Sequence, residues 1–157
     1  KVATRNLMTL VFENGNRGMG DGKFYTNTSG LAHASSPDYI SVIGGEIYTF
    51  SWKKRDTASS LTVFFYDENK GFISRTNEIH TVAVTTHTLT MPEGCCYVCI
   101  SLFCSNTPWE DVLLEDFQFE HGEKATEYIS SKGIDTNRID VKKLASKMPP
   151  AEFKYFE

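Results

Sequence analysis

Four histidines, His33, His80, His87 and His121, are the first residues to ask for chemistry, and their spacing gives none. No two stand at the four-residue interval that places a pair on one helix face for zinc, and no His-Glu-x-x-His motif occurs. No Gly-x-Ser-x-Gly elbow marks a nucleophilic serine. The glycine-bearing stretch NRGMGDGKF lacks both the phosphate-loop and the dinucleotide spacing, and no helical pattern follows it. Two carboxylate pairs stand out, Glu110-Asp111 and Glu115-Asp116. Glycoside hydrolysis needs two carboxyls about 5–9 Å apart across a cleft. Neighbouring residues of a strand point to opposite faces, so neither pair meets that need by itself. Asp116, Glu13 and the carbonyls near Asn14 to Gly20 could form an oxygen cage for a structural calcium. No spaced Asp/Asn loop motif is present, and solvated loop acids are the simpler reading. The expectation is a protein that is not an enzyme and carries no cofactor.

The four cysteines, Cys95, Cys96, Cys99 and Cys104, fall within CCYVCISLFC. On a strand Cys95 and Cys99 would share a face about 13 Å apart, beyond disulfide reach. Four strand cysteines cannot surround one zinc ion either. They read as reduced structural thiols of a protein folded in a cytosol.

The elements that must position any site follow a period of two rather than 3.6. RNLMTLVF, Arg5–Phe12, reads as a first strand, and residues 13–23, with four glycines, as a long loop. Phe24–Asn27 and Leu31–Ser35 read as short strands, and Tyr39–Ile43 as extended after the Pro37-Asp38 turn. Gly44-Gly45 is a hairpin signal. Ile47–Arg55, Leu61–Asp67, Phe72–Arg75, Thr81–Val84, His87–Met91, Cys96–Cys104 and Val112–Glu120 complete the strands. Val84 and Leu89 fall on opposite parities, which predicts a bulge or two separate strands. Short strands between turn signals predict an all-β antiparallel sandwich. After Tyr128 the composition changes, and a domain boundary is expected near residue 130. Residues 131–157 then form an extension toward another module, with a weak helical stretch at Ile139–Met148 closed by Pro149-Pro150.

The 157 residues suit one domain plus that extension, large enough to bury roughly two-thirds of the unfolded surface. A net charge of −4 lacks the basic excess of a broad nucleic-acid footprint. No apolar run approaches the roughly 18 residues that span a membrane, and no signal peptide is visible. The chain opens on Lys1 rather than Met and reads as an excised piece of a longer protein, so missing targeting signals carry little weight.

Several segments in order carry a resemblance. They are RNLM, YISVIGGEIYTFSW, VFFYDENKGFIS, TLTMPEGCCYVCISL and LLEDFQFEHGEKATEYI. The closing Gln-Phe-Glu-x-Gly-x-x-Ala-Thr-x-Tyr, Gln118 to Tyr128, is the most specific. Together they resemble the carbohydrate-binding-module-like jelly-roll domains of tail and baseplate proteins of long-tailed bacteriophages, over roughly residues 4–130. Cys99 departs from the pattern, standing where such strands often carry an exposed Arg or other polar residue. The resemblance implies a jelly roll of the family 4/9 sugar-binding type, in a virion tail tip or baseplate made in the bacterial cytoplasm. It also implies partners: host cell-wall polysaccharide or another saccharide, and other baseplate proteins.

Strand parity gives a candidate site. Leu61, Val63 and Phe65 form the aliphatic side of their strand, so Phe64 and Tyr66 should face outward. Cys96, Val98, Ile100, Leu102 and Cys104 form a core set, which leaves Tyr97, Cys99, Ser101 and Phe103 outside. Trp52 shares parity with Tyr48 and Phe50 and is expected in the core, as are Phe117 and Phe119. If Leu61–Asp67, Phe72–Arg75 and Cys96–Cys104 share a sheet, with Leu31–Ser35 beside them, then Phe64, Tyr66, Tyr97 and Phe103 make an aromatic platform. Pyranose C–H groups lie well against such faces. Trp109, in the stiff loop SNTPWED, is expected as a wall at the platform edge, with His33 bordering the same face. The same aromatics would serve equally under a loop, the C-terminal extension or a neighbouring subunit. The readings are therefore a sugar-binding module, a structural adaptor, or an accessory module of a wall-degrading enzyme. Lys53, Lys54 and Arg55 read as a solvated strand end, with contact to an anionic polymer as the minor option.

Overall fold

The computed structural model describes residues 6–8, 11–26, 31–54 and 59–129, with residues 31, 32 and 105–107 described by their backbone alone. The strands are β1 (Glu13–Arg17), β2 (Phe24–Thr26), β3 (Leu31–Ser35), β4 (Ile40–Ser41), β5 (Ile47–Ser51), β6 (Ser60–Tyr66), β7 (Phe72–Arg75), β8 (Ile79–His80), β9 (Thr86–Thr90), β10 (Tyr97–Pro108) and β11 (Gln118–His121). One 3₁₀ turn, Trp109–Val112, is the only helical piece among the described residues. The larger sheet runs β2-β1-β3-β10-β6-β7, with β4 beside β10 and β8 beside β6, and the smaller runs β11-β5-β9. Every pairing is antiparallel. The protein is an all-β antiparallel sandwich.

Alternation explains the two layers. β6 sends Leu61, Val63 and Phe65 inward, and β10 sends Val98, Ile100, Leu102 and Cys104 beside them. From the smaller sheet Tyr48, Phe50 and Phe119 complete this core, joined by Trp52 and Phe117. Phe50 stacks on Phe119 at 4.3 Å between ring centroids, and Trp52 meets Phe117 edge-on at 6.2 Å. The Trp52 indole N–H donates to the Thr81 carbonyl at 3.0 Å, which lets a polar edge sit in an apolar layer. These core assignments match the parity reading except at Cys96, which is half-buried ahead of β10 while Cys95 takes the core position.

Several boundaries differ from the sequence reading. Among the described residues of the Arg5–Phe12 stretch none is strand; the first strand is β1, inside the segment read as loop. Residues 13–23 are one arm and the turn of a hairpin, in which Arg17 pairs with Phe24 and the Gly18 N–H donates to the Lys23 carbonyl at 2.9 Å. Gly44-Gly45 makes no hairpin. It carries the chain from β4 in the larger sheet to β5 in the smaller one. Residues 81–83 form a turn, with Thr81 tied back to Ser59 through backbone and hydroxyl, and β8 and β9 on either side belong to different sheets. That switch accounts for the parity change between Val84 and Leu89. Val112 ends the 3₁₀ turn, and strand structure resumes only at Gln118. The extension after residue 130, with its helical stretch, lies outside the described residues, as does Arg55.

Candidate functional site

Cross-strand register lays the outer face of the larger sheet out in rows. His33 of β3, Phe103 of β10 and Ser60 of β6 form the first row. Ser35, Ser101 and Thr62 form the second, Cys99, Phe64 and Arg75 the third, and Tyr97, Tyr66 and Phe72 the fourth. Each side chain is thus held by a paired strand rather than by a loop. Phe64, Tyr66 and Cys99 build a second apolar cluster on this face, separate from the core between the sheets.

Two hollows open on the face. The first, about 200 Å³, lies over the first three rows, above Phe64 and between Phe103, Ser101, Thr62, Glu78 and Asn16. Phe103 is 40% exposed, and its ring lies against the His33 imidazole at 4.6 Å. Burial holds His33 below the usual histidine range, so the ring is neutral at pH 7 and acts as a flat partner rather than a charge. The Ser35 and Ser101 hydroxyls bond to each other, and the Arg17 backbone N–H donates to the Ser101 oxygen at 3.3 Å. The second hollow, about 370 Å³, lies beside the fourth row. Tyr39, Tyr66, Phe24 and Phe72 give its apolar surfaces, and Arg17, Lys23, Lys70 and Asp21 its charges.

Arg17 lines both hollows. It is only 4% exposed, and no described carboxylate pairs with it. One terminal nitrogen donates to the Gly22 carbonyl at 3.0 Å and the Tyr66 hydroxyl at 3.4 Å, the other to the Ser36 and Pro37 carbonyls at 3.0 and 3.1 Å. The guanidinium carbon lies 5.2 to 5.8 Å from the rings of Tyr39, Tyr66 and Phe24. Its Nε is buried with no partner. Carbonyls and aromatic faces take the place of the anion that a buried cation ordinarily needs.

The six residues singled out from the sequence fall into three groups. Phe103 and His33 meet at the rim of the first hollow. Phe64, Tyr66 and Tyr97 face outward as parity predicts, but they form no open platform. Phe64 is fully buried, with Phe72 at 6.2 Å, and Tyr66 is 1% exposed beneath the edge of Tyr39 at 4.9 Å. The Tyr66 hydroxyl donates to the Gly22 carbonyl at 2.6 Å, and burial pushes its phenol well above the usual tyrosine range. Tyr97 is half-buried beside Tyr39. The β1–β2 turn and Tyr39 supply the cover. Trp109 is no edge wall either. It sits on the 3₁₀ turn, half-buried against the core between the sheets, because the turn directs it inward with Val112.

The sequence reading missed Arg17, Lys70 and Tyr39. Arg17 hides in an Asn/Gly-rich stretch with no apolar alternation, and nothing local signals its burial. All four cysteines are free, and burial pushes the Cys99 thiol up to about 11, leaving it protonated at neutral pH. It donates to the Asp38 carbonyl at 3.4 Å. Cys99 is therefore a buried packing residue.

The carboxylate pairs do not sit on a strand. Glu110 and Asp111 belong to the 3₁₀ turn, and exposed Glu115 meets the Lys53 ammonium at 3.2 Å. Each hollow carries one carboxylate, Glu78 in the first and Asp21 in the second. Among the described residues no three His, Cys, Asp or Glu side chains converge as metal ligands would, and Glu13 and Asp116 belong to no such group. Comparison of the sequence with protein-family models and with curated proteins finds no match.

Proposed function

We propose that this domain is a non-catalytic saccharide-binding module and that the first hollow is its sugar site. The observation that carries the reading is the exposed Phe103 ring, fixed on the central strand β10 and packed at a tilt against His33, in a hollow also lined by Ser60, Thr62, Ser101 and Asn16. An apolar ring surface flanked by short hydroxyls matches the mixed C–H and O–H faces of a pyranose. A hollow of about 200 Å³ is small and suits one sugar unit, so single-site affinity is weak and useful strength comes from display in several copies. The ordered segments that resemble phage tail and baseplate domains support a role in adhesion to host cell-wall polysaccharide.

The test is a titration of the protein with bacterial cell-wall polysaccharide fragments, followed by calorimetry or by amide shifts. Phe103→Ala is expected to weaken binding about tenfold, or roughly 1.4 kcal/mol, with only a modest fall in melting temperature because the ring is 40% exposed. Equal binding by the variant would remove the first hollow from consideration. A second reading, a structural adaptor of a baseplate, draws on the exposed Met19 beside Phe103 as an apolar rim for a protein neighbour. It predicts that partner proteins, and not polysaccharide, protect these two residues.

A further inference from the structure

The second hollow gathers three cations, Arg17, Lys23 and Lys70, against one carboxylate, Asp21, in a chain whose net charge is −4. The Asp21 carboxylate is already engaged, accepting from the Tyr25 hydroxyl and from the Lys23 backbone N–H. Asp67, at the foot of the neighbouring turn, is likewise occupied by the Asn69 and Gly71 N–H groups at 2.9 and 2.8 Å. Cations outnumber carboxylates three to one in the lining, and the innermost charge, Arg17, is buried with its Nε unsatisfied. Concave walls of one sign focus a field on a ligand of the other.

Lys70 adds a second, independent observation. It holds φ at +63°, the left-handed region that suits glycine in the β6–β7 turn, where its N–H donates to the Asp67 carbonyl at 3.0 Å. The side chain is carried over the Tyr39 and Tyr97 rings, with Nζ 5.0 and 5.5 Å from their centroids. The Lys70 ammonium thus lies across an aromatic pair at the mouth of a hollow lined by two further cations.

We propose that the second hollow binds an oxyanion, the carboxylate or phosphate of an acidic saccharide, with Lys23 and Lys70 contacting it and Arg17 supplying the buried charge behind them. The proposal rests on the saccharide reading only for the molecule that carries the anion. The first hollow then takes a sugar ring and the second the charged group of the same polymer.

The experiment follows amide shifts of the full ¹⁵N-labelled chain during titration with inorganic phosphate, with glucuronate and with glucose. Phosphate or glucuronate is expected to shift the amides of Gly22, Lys23, Lys70 and Gly71 saturably, and raising salt from about 50 mM to 0.5 M should weaken the effect. Lys70→Gly should weaken binding about fivefold or more while its melting temperature stays level or rises, because glycine relaxes the turn. That combination separates lost contact from lost fold. Shifts with phosphate alone indicate a phosphodiester polymer and shifts with glucuronate alone a uronic acid, and both support the site. Silence from both anions, equal shifts with glucose, or unchanged binding in Lys70→Gly overturns it. Failure of the saccharide reading looks different: phosphate still shifts Gly22 and Lys70, while no neutral oligosaccharide shifts Ser101 or Phe103.

Discussion

Tyr66 shows how one side chain can look like a ligand contact and be a bracket. Its ring lies on the outer face of the larger sheet, but its hydroxyl is fixed between the Gly22 carbonyl and the Arg17 guanidinium. Gly22 must come this close: its φ is +66°, and an added Cβ would lie 2.4 Å from the Phe72 ring. Tyr66→Phe is expected to cost about 1–2 kcal/mol, since the hydroxyl is fully buried and Arg17 loses a partner. Urea denaturation would read this as a lower midpoint at unchanged slope. No change at all would mean that the β1–β2 turn is held by other contacts. The orientation of Tyr66 and Phe64 was legible in the sequence, because the alternation Leu61, Val63, Phe65 against Phe64, Tyr66 admits one inner face. Their cover was not, because Arg17, Gly22 and Tyr39 come from remote parts of the chain and arrive only when the sheet closes.

At the scale of elements, the segment Gln118 to Tyr128 is a clasp. The Glu120 carboxylate accepts from the Thr126 N–H at 3.1 Å, the Thr126 hydroxyl at 2.6 Å and the Gln118 amide at 2.8 Å. The Ile129 N–H donates to the Gln118 side-chain oxygen at 2.9 Å. Asn6 joins this clasp to the chain's beginning. Its amide donates to the Phe117 and Ile129 carbonyls, and its oxygen accepts from Met8 and Phe119 N–H groups. Asn6→Ala strands several buried backbone groups and is expected to cost about 3 kcal/mol. Hydrogen exchange at the Phe119 amide should then quicken more than exchange within β10. The most specific stretch of the sequence thus has a structural task on the described residues. Strands β5, β6 and the body of β10 were legible because bulky apolar residues alternate along them. β1 was not, because ENGNR carries no such pattern. It becomes strand by pairing on both sides, and Gly15 suits it because an added Cβ would meet Phe24 at 2.5 Å.

For the whole molecule, pH acts through two histidines that burial holds below the usual range, His33 on the larger sheet and His87 on β9. A lowered folded pKa means that the unfolded chain takes up the proton first. Stability is therefore intact above about pH 6.5, the unfolded value, and falls as pH drops below it until the folded form also protonates. A melting-temperature series from pH 8 to 5 should begin to decline near 6.5. The double variant His33→Asn, His87→Asn should give a flatter profile over that span, and an identical slope would assign the decline to other groups. The layered architecture and the division into inner and outer faces could be read from period-two patterning. The positive second hollow could not, because its three cations lie on separate turns and strands, and a net count of −4 conceals a local excess of the opposite sign.

The bond from the Asn6 amide to the Ile129 carbonyl, 2.9 Å long, has a mechanical consequence. Residues 6 and 129, the first and last described, are thereby held together at one corner of the sandwich. A pull exerted between residues 6 and 129 would load the Asn6, Gln118 and Glu120 bonds first and leave β6 and β10 slack behind them. Under such a load the outer face of the larger sheet would stay undistorted until the corner bonds gave way.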